Sequence, residues 1–482
     1  MKYNLLMTIV CRKFLRLFYI LCKKIAQKEE AIMNYFKLLY KLYKTKNNIK
    51  KTPAQIKELQ ERKLRKLLTY SYNHSRYYHK MFEKAGINQE NISTTPLSLF
   101  PTIDKAQLLK NFDTIVTVSD VNQEELRRFD LQETADRKPF KGRYHVVHSS
   151  GSTGKPNYFI YDETAWNEML LGMIRAALWN MSMIRILKLF FRGVRVVYIA
   201  ATDGRYGGAM AVGDGIDGIH AKSLYLDIKT PLDKWIRQIK EFQPNVIIGY
   251  PSAIKILGEL VEKRSIQFDI FRVISCGEPL GASLRHYLEN VFQAEVINFY
   301  GASESLVLGV ESNPKEGIIL FDDMNVIEVY KGNMYLTCLY NFAQPLIRYR
   351  LTDCLTLQNA GMESVYPFTK AVGLLGRNED VLWFNDGNGN SEFLHPLAIE
   401  GFCIEGLRDY QFLQIGKDAF EMLAEVSKTV LQSKVQKEIL QQMKRILEEK
   451  KLSYVQFYVR FVDEILPDAN TGKKRLIVIG EN

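Results

Sequence analysis

The sequence predicts an α/β protein. A large N-terminal domain of mainly parallel sheets flanked by helices precedes a small mobile α+β domain at the C-terminal end. Three observations predict it. Between residues 230 and 302, helical stretches alternate with short β-rich runs, the pattern of βαβ units around a largely parallel sheet. Three of those runs end in the loops "GYPS", "CGEPL" and "YGASE", and ligands of open α/β sheets bind at the carboxyl ends of strands. After "GLLGRNEDVLWF" the texture changes to a Gly/Asn loop, a strand pair, a long helix and a further strand. That segment is about one hundred residues, enough for a small separate domain.

The chain has 482 residues, 46% hydrophobic and 25% charged, an ordinary globular balance with length for two or three domains. The expected organisation is a basic extension over 1–50, a large domain over 51–376 and a small lid over 377–482. The net charge of +11 is uneven: the first fifty residues hold twelve Lys or Arg and only Glu29 and Glu30 as acids. At about 100° per residue, Arg12, Arg16 and Lys23 fall near one line of a helix, and Lys2, Lys13 and Lys24 near the next. Leu5, Leu6, Ile9, Val10, Phe14, Leu15, Phe18 and Leu21 lie between them. This basic amphipathic helix is too interrupted to span a bilayer, and it lacks the apolar core and cleavage site of a secretory signal. Two readings stand: a helix packed on its own domain, and a peripheral contact with an anionic membrane surface. No basic-aromatic module supports nucleic-acid binding.

Residues 55 to 85 read as helix, with Leu59, Leu64, Leu67 and Leu68 on one stripe. Ser/Thr/Pro-rich loops follow through Pro101. Next comes "VVHSSGSTGKPNYF", which holds Ser149, Ser150, Gly151, Ser152, Thr153, Gly154 and Lys155 before Pro156. It is not a Walker loop, which needs four residues between its glycines and Ser or Thr after the Lys. Such a loop can still wrap backbone and hydroxyl donors around a phosphate. The middle segments alternate: "DKWIRQIKEF" helix, "NVIIGYP" strand, "SAIKILGELVEKR" helix, "FRVISCGE" strand, "ASLRHYLENVF" helix, "AEVINFYG" strand. The six cysteines form no C-x-x-C pair and sit mostly among apolar neighbours, as buried thiols of a reducing cytosol do. No Cys/His cluster has zinc spacing.

"HSSGSTGKP" resembles the phosphate loop of adenylate-forming enzymes: acyl- and aryl-CoA ligases, luciferase and peptide adenylation domains. His148 and the wording of the loop look most like the phenylacetate–CoA ligase branch, which includes capsule-biosynthesis and coenzyme-adenylylating members. "IIGYPSAI", "ISCGEPL", "NFYGASE", "LYNFAQPLIRYRLTD", "GRNEDVL" and "NTGKKR" match further family segments in order, over roughly residues 145–475.

The resemblance implies ATP and Mg²⁺ as cofactors. Ser149 to Lys155 would hold the phosphates, with Thr153 among the catalytic residues. Glu304 would be the metal ligand, since a hard cation favours carboxylate oxygen. Tyr300 would stack on adenine, with Gly277, Glu278 and Pro279 as the facing wall and Asn298, Gly301 and Ser303 nearby. Asp353 and Arg377 would take the ribose. Lys473 would stabilise the charge that grows as a carboxylate attacks the α-phosphate. Tyr206, Gly207, Gly208, Tyr250, Ser252 and Ala302 are candidates for the acid pocket, and Glu379 for the hinge.

The resemblance implies an acyl-adenylate passed to CoA, a carrier protein or an amine. Alternatives are an adenylyltransferase that leaves AMP on its target, and a non-catalytic membrane-associated assembly protein. Ser312 and Ile319 stand where zinc ligands occur in relatives, so no zinc is expected. "WFNDGNGNSEFLHP" departs from the usual CoA-ligase wording and moves weight toward the capsule-associated relatives. A cytoplasmic protein is implied, with membrane contact at the inner face only through the N-terminal helix.

Overall fold

A computed structural model describes residues 40–131, 138–148, 157–200, 222–278, 280, 282–313, 316–331, 333–351, 353–358, 365–375, 382–385, 391–394, 399, 402, 404–427, 430–465 and 476–479. The chain divides into residues 1–48 and 49–482. Of the first unit, residues 40–47 are helical; the basic lines at Lys2–Lys24 lie outside the described residues.

The second unit opens with α1 (Pro53–His74) and α2 (Arg76–Lys84). Thr52 caps α1 by a reciprocal exchange with Gln55: Gln55 N donates to Thr52 Oγ1 (3.2 Å), and Thr52 N donates to Gln55 Oε1 (3.0 Å). Such a cap contributes about 1 kcal/mol. The single helix expected over 55–85 is two. Ser75 takes extended backbone angles and its hydroxyl accepts from Tyr78 N, so it starts a new helix rather than continuing the old one. Leu64, Leu67 and Leu68 are buried as the stripe predicts, and Ile56, rather than Leu59, is the other buried aliphatic on that face.

α3 (Lys105–Ile115) and α4 (Gln123–Asp130) follow. This early segment is stitched to the chain near residue 348. Tyr78, fully buried, accepts at its hydroxyl from Ile347 N (3.1 Å) and donates to Pro345 O (3.0 Å). Arg348 Nη1 donates to Ser98 O (2.7 Å) and Phe100 O (2.6 Å). Ile103 forms a parallel bridge with Tyr349.

β1 (Tyr144–His148) and β2 (Tyr158–Asp162) form a hairpin whose last register pair is His148 with Tyr158. Then come α5 (Glu163–Ala177), α6 (Met183–Arg192), β3 (Arg195–Ala200), β4 (Lys222–Asp227), α7 (Leu232–Phe242), β5 (Val246–Gly249), α8 (Pro251–Glu262), β6 (Arg272–Cys276), α9 (Ala282–Phe292) and β7 (Val296–Ala302). Strands β4, β3, β5, β6 and β7 are neighbours in that order and parallel. This is the alternation read from the sequence.

The sheet does not end there. β8 (Ser305–Glu311) and β9 (Ile318–Leu320) continue it antiparallel. β10 (Asn325–Tyr330), β11 (Asn333–Cys338) and β12 (Tyr349–Leu351) form a separate three-stranded sheet. β13 (Cys354–Gln358) and β14 (Lys370–Leu375) return to the far edge of the large sheet, giving nine strands.

The chain then forms a small hairpin, β15 (Leu382–Asn385) with β16 (Ser391–Leu394). β17 (Leu407–Gly416), β18 (Ala419–Val426), α10 (Gln432–Glu449), β19 (Gln456–Val462) and β20 (Ile477–Ile479) complete it. Their sheet runs β19-β18-β17-β20. α10 buries Val435, Ile439, Met443 and Leu447, spaced by four, four and four, the face a 3.6-residue period aligns. Burying each such side chain stabilises by roughly 1.5–3 kcal/mol. These residues belong to one apolar cluster with Trp235, Ile239, Phe384 and Phe393, so this C-terminal sheet packs against α7 and the large sheet.

Candidate active site

The carboxyl ends of β5, β6 and β7 meet. At β6, Gly277 has φ +82°, and a Cβ there would stand 2.6 Å from Tyr250 Cε1. Only glycine lets the backbone pass the ring so closely at that angle. Glu278 reaches back to the start of α8: Ser252 Oγ donates to Glu278 Oε1 (3.0 Å) and Ser252 N to Oε2 (3.1 Å). A carboxylate on the first-turn N–H of a helix is the favourable end of its dipole. Tyr250, Ser252, Gly277 and Glu278 are therefore one contiguous surface. Burial pushes the neighbouring Cys276 thiol up to about 12, so it stays protonated and unreactive.

β7 and β8 are joined by a two-residue turn, Ser303–Glu304, below the pair Ala302–Ser305. The register shifts between Tyr300 and Ala302. Gly301 sits there because a Cβ would meet Leu306 O at 2.5 Å. Tyr161 Oη lies 3.3 Å from both Ser303 O and Glu304 O and supports the turn from β2. Burial first, with help from the Asp353 charge, pushes the Glu304 carboxyl up to about 7, against a backbone hydrogen bond, a hydrogen bond from Tyr349 and the charge of Lys105. Tyr349 also accepts from Asn157 Nδ2 (3.4 Å), a buried side chain directly after the 149–156 loop. Tyr300 Oη donates to Asp353 Oδ2 at 2.9 Å. Asn298 Nδ2 donates to Glu311 Oε2 (3.0 Å), which also holds Arg285 at 2.7 Å, so this amide serves the β7–β8 pair.

Of the residues singled out from the sequence, Tyr250, Ser252, Gly277, Glu278, Asn298, Tyr300, Gly301, Ala302, Ser303, Glu304 and Asp353 are thus placed around these strand ends. Ser149 to Lys155, Tyr206, Gly207, Gly208, Pro279, Arg377, Glu379 and Lys473 lie outside the described residues. Sequence reading missed Tyr349, Asn157, Tyr161 and Lys105. Tyr349 had a signal: it stands four residues before Asp353 in "RYRLTD".

Glu304 fits a divalent cation. A cation would relieve the cost of ionising a buried carboxylate. Among the described residues no group of three His, Cys, Asp or Glu could hold a metal ion.

The nine-stranded α/β sheet with its C-terminal four-stranded sheet is a fold shared with a solved acyl-CoA ligase. A crystal structure of 2-hydroxyisobutyryl-CoA ligase in complex with 2-HIB-AMP and CoA, in the thioesterification state, matches with TM-score 0.58 at 17% identity, over 90% of this chain and 91% of that one. An open conformation of the same ligase gives 0.51 at 16%, over 87% and 90%. In sequence the chain is similar to phenylacetate-coenzyme A ligases and to protein CapK. Phenylacetate-coenzyme A ligase of Aromatoleum evansii is 23% identical over 393 residues, 77% of this chain and 80% of that protein. Protein CapK of Staphylococcus aureus is 21% identical over 445 residues, 87% and 88%. No protein-family model matches the chain.

Proposed function

We propose that the protein is an ATP-dependent acid–thiol ligase. It activates a carboxylic acid as the acyl-adenylate, releases pyrophosphate and passes the acyl group to the thiol of CoA or of a carrier protein. The observation that carries this reading is the grouping of Glu304, Asp353 and Tyr300 beside the Gly277–Tyr250 wall at the ends of parallel strands.

In the first step a carboxylate oxygen of the acid attacks the α-phosphorus, and the bond to the bridging oxygen breaks. The acid is already ionised at pH 7, so no general base is needed. Tyr300 and Asp353 orient the nucleoside. Glu304 would hold the Mg²⁺, which when bound supplies charge neutralisation on the phosphates. Lys473 bridges attacking and leaving charge. In the second step a thiolate attacks the acyl carbon and AMP leaves.

Lys473 precedes β20 in the chain, and in this reading the C-terminal sheet carries the lysine and pivots at Arg377–Asp380 between the two steps. The test is acid-dependent pyrophosphate release over a panel of aryl and alkyl acids, with AMP followed in the presence of CoA. Free AMP and an acyl thioester are expected. AMP retained on the product would make the protein an adenylyltransferase, and no pyrophosphate with any acid would end the reading.

The basic segment before residue 40 is proposed to hold the protein on anionic membranes. No helix among the described residues is long and apolar enough to cross one. Deleting roughly the first 25 residues should abolish sedimentation with phosphatidylglycerol vesicles and leave soluble turnover intact. Vesicle binding by the truncated protein would show that the segment is not the anchor.

A further inference from the structure

Lys450 caps the C-terminal end of α10, and its side chain is fully buried. An ammonium has three N–H donors, and all three have an acceptor here. Glu392 Oε1 lies at 2.7 Å, Ile228 O at 3.1 Å and Thr230 O at 3.0 Å. Glu392, on β16, is buried as well. Its Oε2 accepts from Leu232 N (2.8 Å) and its Oε1 from Phe393 N (3.0 Å). The Phe393 ring stands 4.0 Å from the ammonium and 5.3 Å from Trp235. Ile228, Thr230 and Leu232 belong to the β4–α7 segment of the large sheet; Glu392 and Lys450 belong to the hairpin and to the C-terminal helix. Three hydrogen bonds of this one network therefore cross between the large sheet and the C-terminal elements.

A buried ion pair is a poor way to gain stability, because desolvation offsets most of the attraction. An apolar plug of the same volume would hold the two surfaces as well. What the pair adds is register. Apolar groups slide at little cost, whereas this ammonium meets its three acceptors in one position only. It also suits a surface that separates, since a charged pair laid open is rehydrated and an apolar plug is not.

We propose that Lys450 and Glu392 are positioning residues that set one docked register of the C-terminal sheet on the large sheet, and with it the place of the Lys473 loop. This rests on the ligase reading above, in which Lys473 acts and the sheet pivots. The pair must part when the sheet leaves this position.

The test uses Lys450→Met and the double variant Lys450→Met/Glu392→Leu in the full chain. The single variant strands a buried carboxylate and can fail to fold; the double variant removes both charges and keeps the volume apolar, and its circular dichroism and melting curve check that it folds. Three quantities are read: amide exchange across α7 from Trp235 to Phe242, whose amides bond to the preceding turn rather than to the pair, pyrophosphate release in the first half-reaction, and consumption of a preformed adenylate in the second. In the double variant, exchange should quicken across α7 and not at Leu232 alone, whose acceptor is removed outright. One half-reaction should fall by roughly 100-fold, the scale of a misplacement of about 1 Å, while the other and the KM for ATP stay near native. Equal changes in both half-reactions, or native exchange across α7, overturns the proposal. If the unaltered protein releases no pyrophosphate with any acid, the ligase reading fails instead, and the exchange data still decide whether the pair sets the register.

Discussion

Tyr300 and Asp353, 53 positions apart, are joined by a hydroxyl-to-carboxylate hydrogen bond of 2.9 Å. The bond ties the end of β7 to the residue before β13, four places away across the large sheet. Burial, then the Asp353 charge, drives the Tyr300 hydroxyl well above its ordinary range, so it stays a donor at any working pH. Each partner fixes the other: the carboxylate holds the hydroxyl end of the ring, and the hydroxyl anchors one oxygen of the carboxylate.

Tyr300→Phe keeps the ring and removes the donor. KM for ATP should rise by roughly tenfold or more, with kcat changed by less than about threefold, because a hydrogen bond to a charged carboxylate is worth about 1.5–3 kcal/mol and its loss acts on binding. Initial-rate kinetics at saturating acid check it. A fall in kcat with KM unchanged would place the hydroxyl on the reacting atoms.

Glu304 predicts a pH effect. Its carboxyl is raised from 4.5 to about 7 by burial first of all. The folded chain therefore holds this proton where the unfolded chain has lost it. The stability it contributes is present below about 4.5 and is lost as pH rises through about 7. Without ligand, the melting temperature should drop between pH 5 and 8 more in the native protein than in Glu304→Gln. Binding of Mg·ATP favours the ionised form, so calorimetry in buffers of different ionisation heat should show proton release near pH 6.5 and none near pH 9. Buffer-independent heats at both would mean that Glu304 stays ionised throughout.

Gly277→Ala introduces a side chain at φ +82° and sets its Cβ against Tyr250. The backbone conformation alone costs about 1–3 kcal/mol, and the ring must move in addition. The denaturation midpoint should fall, and KM for the acid should change more than KM for ATP. An unaltered midpoint would show that the ring yields freely.

Lys473→Ala should lower acid-dependent pyrophosphate release by at least about 100-fold, the scale of losing one group aimed at developing charge. A preformed adenylate should still be consumed. Full pyrophosphate release by this variant would remove Lys473 from the first step.

The middle of the fold was legible because each βαβ unit is local: a strand, its helix and the next strand follow within about thirty residues. The strand-end loops were legible for the same reason. β8, β9, β13 and β14 were not, because nothing in a short apolar run says which distant strand it will join. Ser75 shows the limit for helices, since a serine inside a periodic pattern can continue one helix or cap another. Tyr349 and Lys450 were missed on similar grounds. The partner of Tyr349 lies at Glu304, and Lys450 looks like a solvent-facing residue at the end of a helix until Ile228 and Thr230 are brought beneath it.

The bridge between Ile103 and Tyr349 has a kinetic consequence. With the bonds from Tyr78 to Pro345 and from Arg348 to Ser98, it closes a loop of nearly 250 residues. Closure entropy grows only slowly with loop length, but it must be met before these contacts form. The early helices should therefore dock late in refolding. Tyr349, which holds the Glu304 carboxylate, belongs to that closing seam. A refolding chain should recover the fluorescence of its buried tryptophans first and its capacity to bind nucleotide in a later, slower phase.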